Sequence, residues 1–101
     1  MAKKNPLAPV HPGEILREEY LEPLGLTPYA LAAILRVPRT RIERLVREET
    51  PVTVDTALRL GRYFRTSPEF WMRMQWTFDL ETALEADLDD DIASIEPRKR
   101  A

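Results

Sequence analysis

Residues 27–47 read TPYALAAILRVPRTRIERLVR. Thr27 followed by Pro28 is an N-cap and first-turn pair, and Leu31, Ala32 and Leu35 then recur at helical spacing. Val37-Pro38 breaks that pattern, because the residue before a proline is driven out of the helical region. Ile42, Leu45 and Val46 resume it with a polar opposite face of Arg39, Thr40, Glu43, Arg44 and Arg47. The spacing therefore predicts one helix ending near Arg36 and a second within Pro38 to Arg47. Joined so tightly, the two form a bihelical unit in which the first packs the second and leaves its outer face free. Ala32 is the small residue such a crossing needs, and Val37, Ile42 and Leu45 are apolar anchors beneath the second helix.

Toward the N-terminus, Pro12 and Glu14 suit a first turn, and Ile15, Leu16, Tyr20 and Leu24 continue a helix that Pro23 and Gly25 stop. Thr50, Pro51 and Thr53 form the next break. Thr53 caps a fourth helix in which Val54, Ala57, Leu58, Gly61 and Phe64 line one side, with Gly61 allowing close helix contact. Ser67-Pro68-Glu69 repeats the cap and starts the longest helix, expected to reach about Ala86. No alternating strand pattern, hairpin signal or internal repeat occurs, so the expected fold class is all-α with five helices. Residues 1–11 are expected to be a loose arm, residues 12–86 the domain, and residues 87–101 a charged, solvated tail.

A chain of 101 residues, 44% apolar and 32% charged, suits one globular unit. No apolar run is long enough to span a bilayer, and Lys3-Lys4 leads into Asn5-Pro6 without the apolar stretch of a signal peptide. No membrane association and a cytoplasmic location are therefore expected. There is no cysteine, and His11 is the one histidine, which leaves no disulfide framework and no expected metal site or cofactor. His11, beside Pro12-Gly13 at a helix entrance, reads as a capping or packing residue. No serine–histidine–acid set or glycine-rich phosphate loop is present, so no catalytic residue is assigned and the chain is expected not to be an enzyme.

Charge is unevenly spread: residues 36–65 carry eight arginines and four acids, and residues 66–101 four bases and nine acids. An arginine block suits nucleic acid, because guanidinium contacts phosphate and guanine edges bidentately. On the second helix of the unit, Arg39, Thr40, Glu43, Arg44 and Arg47 share one face, with Arg41 at its flank in reach of a phosphate. Thr27 and Tyr29, at the start of the preceding helix, are placed to fix the DNA backbone. The alternative reading of the same arginines is a solvated face of a helical bundle. Glu48 and Glu49 immediately follow these arginines and are placed either to pair with Arg44 or to screen the DNA, weakening the patch.

The segments HPGEILREEYLEPLGLT, VPRTRI, TVDTALRLGRYF and TSPEFWMRMQ, in this order between His11 and about Ala83, resemble the HigA family of antitoxins, a branch of the Xre-like helix-turn-helix regulators. The resemblance implies a lambda-repressor-like five-helix domain that dimerises, binds double-stranded operator DNA, represses its own operon, and neutralises a cognate HigB-like toxin of the RelE-like messenger-RNA endonuclease class. Arg36 stands where the family often has a turn glycine, and Glu48, Glu49, Thr50 and Pro51 where it often has glycine and further bases. Arg36 is included among the expected DNA contacts. Other readings of the chain are a stand-alone Xre-type regulator and a protein-binding adaptor that has lost DNA binding.

The long last helix carries Phe70, Met74 and Phe78 on one stripe and Met72, Trp76, Leu80 and Leu84 on another. The first is expected to serve the core and the second a homodimer interface; the alternative is a helix wrapped on both sides by the other four. The acidic C-terminal third also suits docking of a basic ribonuclease.

Overall fold

The computed structural model describes residues 8–85 and 89–99. Residues 1–7, with Lys3-Lys4 and Asn5-Pro6 of the expected arm, lie outside them, as do Ala86, Asp87, Leu88, Arg100 and Ala101. Among the described residues there are six helices and no strand. Helix α1 is α-helical over Pro12–Ile15, π-helical over Leu16–Leu21 and α-helical over Glu22–Leu24. It is followed by α2 (Pro28–Leu35), α3 (Arg39–Val46), α4 (Val54–Phe64), α5 (Pro68–Glu85) and α6 (Asp89–Ala93). No described helix is long and apolar enough to cross a membrane.

The helix starts follow from local chemistry. Thr27 Oγ1 accepts from Ala30 N at 3.0 Å, Thr53 Oγ1 from Thr56 N at 3.3 Å and Ser67 Oγ from Phe70 N at 3.1 Å. Each satisfies an amide that has no partner within its helix. In α1 the widened turns, in which Glu22 N–H reaches Arg17 O, run up to Pro23. Proline removes a donor there and crowds the carbonyl four residues back.

Of the arm expected over residues 1–11, only residues 8–11 are described, and its inner end lies against the domain. Val10 lines a groove with Ile15, Phe70 and Met74, and His11 is buried as the N-cap of α1, its Nδ1 accepting from Gly13 N at 2.8 Å. The imidazole meets the Phe78 ring edge-on at 4.8 Å. Burial holds its pKa below the ordinary value, outweighing the upward pull of Glu48 and Asp79. A folded-state pKa below the unfolded one means that this contribution to stability is complete above about pH 6.5 and is lost as pH falls from there through the folded value. Protonating Nδ1 also abolishes the cap acceptor, worth about 0.5–2 kcal/mol. Urea denaturation across pH 5–8 is expected to show stability falling below about pH 6.5, with the slope much reduced in His11→Asn, which keeps a cap acceptor without a titratable ring. An unchanged slope would refute this role for His11.

The core joins Leu16 and Leu21 of α1, Leu31, Ala32 and Leu35 of α2, Ile42, Leu45 and Val46 of α3, Ala57 and Leu60 of α4, and Trp71 of α5. Two expected faces are corrected. On α4, Val54 and Leu58 are exposed, while Thr56 and Leu60 are buried with Ala57 and Gly61. The helix is turned so that Gly61 meets the Thr66 carbonyl and Val54 and Leu58 fall outside that arc. On α5 neither expected stripe is the buried one: Trp71 is fully enclosed, Gln75 is buried one turn later, and Met74 and Phe78 are half-buried beside them. Gln75 is accommodated because its Oε1 accepts from Val52 N and its Nε2 donates to Asp79 Oδ1, both at 2.8 Å. Helix α5 ends at Glu85, and α6 occupies part of the expected tail, with Ile92 and Ile95 exposed.

Candidate nucleic-acid interface

Helices α2 and α3 are joined through Arg36, Val37 and Pro38. Arg36 adopts the left-handed conformation, with φ 62° and ψ 45°, and Val37 N returns to Ala32 O at 3.0 Å. This is a C-cap motif usually closed by glycine, so with Arg36 in the glycine's place the turn keeps the standard bend. The arginine there costs about 1 kcal/mol relative to glycine.

Helix α3 is then held from three sides. Ile42, Leu45 and Val46 are buried beneath it. Gly13 of α1 lies against the Leu45 carbonyl. Arg17 Nη1 donates to Val46 O at its C-terminus. Arg17 Nη2 also reaches Glu48 at 3.2 Å, and Glu48 is left-handed at φ 65°. Glu48 thus pairs with α1 rather than with Arg44, and Glu49 approaches Arg47 at 4.0 Å. The acids after α3 therefore do not neutralise Arg44, which makes no ion pair among the described residues.

What remains is a free outer face. Arg39, Thr40, Arg41, Arg44 and Arg47 are exposed, with Glu43 half-buried among them. Arg39 Nε pairs with Glu43 at 3.4 Å, and its guanidinium lies 5.9 Å from the centre of the exposed Tyr29 ring. Tyr29 and Arg39 are thus brought together from α2 and α3. Thr27 is exposed at the start of α2, its oxygen occupied as the cap acceptor, which leaves its O–H to donate. Arg41 is drawn toward α4 and pairs with Asp55, which also accepts from Arg59 Nε at 3.0 Å; the two guanidiniums hold the Asp55 carboxyl below its usual pKa.

The sequence did not single out the walls of a groove of about 350 Å³ beside α3, where Thr50, Pro51 and Thr53 face Thr40, Arg41 and Arg44. Thr50-Pro51 carries a turn signal and nothing else. Arg36, expected at the same surface, lines a separate groove between α2 and α4.

Comparison with known proteins agrees with this geometry. The helix-turn-helix family profile matches residues 18–71. Virulence-associated protein I of Dichelobacter nodosus is 52% identical over 82 residues, covering 81% of this chain and 76% of the relative. Antitoxin HigA-1 of Vibrio cholerae is 36% identical over 78 residues, covering 77% of this chain and 73% of the relative. Among solved structures, the Pseudomonas aeruginosa antitoxin HigA with the higBA promoter superposes with a TM-score of 0.84 at 44% identity, covering 90% of this chain and 99% of that one. With its bihelical unit, its capped turn and these relatives, the chain belongs to the helix-turn-helix family, in the branch of the HigA antitoxins.

Proposed function

We infer that this protein is an antitoxin that binds operator DNA as a dimer, represses its own operon and neutralises a RelE-like endonuclease of the HigB kind. The observation that carries the DNA reading is the division of α3: one face is clamped into the core, and the other offers Arg39, Thr40, Arg41 and Arg44 to solvent with Thr27 and Tyr29 alongside. Arg44, free of acidic partners, is the side chain best placed for a base edge, where a bidentate arginine–guanine pair gives about 1–3 kcal/mol of discrimination. Arg41 and the threonines of the adjoining groove suit phosphate. The promoter-bound state of the Pseudomonas relative supports this assignment. Dimerisation is supported by the exposed α5 residues Leu80, Leu84 and Trp76, the last 65% exposed. Met72, expected with them, is half-buried against the core. The acid-rich C-terminal third supports docking of a basic toxin. A cytoplasmic, non-enzymatic role fits this reading.

The test is a fluorescence-anisotropy titration onto the chain's own upstream promoter and onto scrambled duplex at two salt concentrations. Selective binding that weakens with salt is expected, and Arg44→Ala should lose roughly ten- to a hundredfold in promoter affinity with little change on scrambled DNA. Equal, weak binding to both duplexes, unaltered by the substitution, would overturn it.

A further inference from the structure

Helix α1 closes on Gly25, whereas α2 and α4 close on arginines in the same left-handed conformation, Arg36 at φ 62° and Arg65 at φ 60°. Glycine occupies such a position without the steric cost that a Cβ brings. Strained backbone of this kind persists where the side chain has a use. Glu48, the third non-glycine residue at positive φ among the described residues, holds Arg17. Arg36 and Arg65 make no ion pair among the described residues, yet both line one groove of about 1060 Å³ between α2 and α4.

Arg59 and Arg62 line the same groove, so it gathers four guanidinium groups around one carboxylate, Asp55. Asp55 is already shared by Arg41 and Arg59, and Arg59 Nη1 is further fixed by donating to Leu35 O at 2.8 Å. Arg62, like Arg36 and Arg65, makes no ion pair among the described residues. Three arginines therefore remain for a ligand, with the phenol of Tyr63, 42% exposed, as a further donor. The lining is more polar than apolar, which suits a strongly anionic ligand, and each arginine offers a planar fork that matches phosphate. The groove also adjoins the reading face: Asp55 joins Arg41, at the flank of α3, to Arg59, and Arg36 stands three residues before Arg39. Charge alone would serve an acidic peptide equally well; continuity with the reading face favours DNA.

We propose that the α2–α4 groove binds the phosphate backbone of the DNA flanking the half-site read by α3, through Arg36, Arg62 and Arg65. The contact carries no base information. It adds affinity and salt dependence, and it extends the bound stretch of DNA beyond the base pairs that are read. The inference rests on the operator-binding reading above and gives each copy a second DNA surface.

The test is fluorescence anisotropy at several salt concentrations with two promoter duplexes, one trimmed to the half-sites and one extended by about ten base pairs, a helical turn, on each side. The variant is Arg62→Ala with Arg65→Gly. Glycine relieves the strain at position 65, so the variant is expected to match or exceed the native thermal midpoint, and lost binding then does not reflect lost folding. The native chain should bind the extended duplex more tightly and with the steeper fall of log affinity against log salt. The variant should lose about one unit of that slope for each arginine removed per bound copy, and at least about tenfold in affinity at the lowest salt. Its affinity for the trimmed duplex should match that of the native chain. Equal loss on both duplexes, or no loss on the extended one, overturns the proposal; the latter result would assign the groove to an acidic protein segment instead. A native chain indifferent to its promoter on either duplex removes the operator reading itself, whereas one that selects its promoter with identical slopes on both removes only this flanking contact.

Discussion

Gly13→Ala is expected to cost about 3 kcal/mol or more, lowering the thermal midpoint by roughly 12–24 °C at about 4–8 °C per kcal/mol for a domain of this size. Helix propensity predicts the opposite sign, since alanine exceeds glycine by about 0.5–1 kcal/mol inside a helix. The packing decides otherwise. A Cβ on Gly13 would lie 1.9 Å from Leu45 O, 2.9 Å from Leu45 C and 3.0 Å from His11 Nδ1. The first two atoms are backbone in α3, a helix fixed from below by Ile42, Leu45 and Val46, so neither can swing aside like a flexible side chain. Relief requires α1 to move off α3, and that movement breaks the Arg17 bond to Val46 O. Thermal denaturation followed by circular dichroism reads the sign directly. A stabilised variant would show that α1 does not approach α3 this closely.

The sequence was informative where one residue determines one local geometry. Thr27, Thr53 and Ser67 announced three helix starts, and all three make the cap bond. His11 was legible as a cap because a lone histidine beside Pro12-Gly13 had no ligand partners. Residues 27–47 were legible because two apolar patterns met at Val37-Pro38, and the core beneath α3 holds Ile42 and Leu45 as the spacing requires.

The phase of a helix relative to its neighbours was less legible. On α4, Val54 and Leu58 fit an apolar face as well as Leu60 does, and only the close approach at Gly61 selects the latter. On α5 the buried stripe runs through Gln75, a polar residue whose burial depends on the amide of Val52, twenty-three residues away. No local pattern encodes that bond. The ion pairs Arg17–Glu48 and Arg41–Asp55 are hidden for the same reason, since they join different elements and decide which arginines of the candidate site stay free. Arg36 shows the remaining gap: its left-handed turn and its place on the α2–α4 groove depend on how α2 meets α4, which no local pattern encodes.

Trp71→Ala is the other substitution expected to have a large effect, a loss of about 3–5 kcal/mol. The indole is fully enclosed, meets the Tyr20 ring at 5.2 Å and the Phe70 ring at 5.1 Å, and donates from Nε1 to Thr66 Oγ1 at 2.8 Å. Truncation therefore opens a cavity at the α4–α5 crossing and removes the tie to the connecting loop. Trp71→Phe separates these effects, because it refills much of the cavity but cannot donate; a loss of about 1–2 kcal/mol is expected from the missing bond and the residual void. The α2–α3 unit draws its own packing from Leu31, Leu35, Ile42 and Leu45, so damage at Trp71 should reach DNA reading only through global stability. At a temperature where Trp71→Phe remains folded, its promoter affinity is expected to match the native chain. A variant that stays folded yet loses promoter affinity would mean that α5 positions α3 directly, and the clamp formed by Gly13 and Arg17 would not be sufficient to hold the reading face.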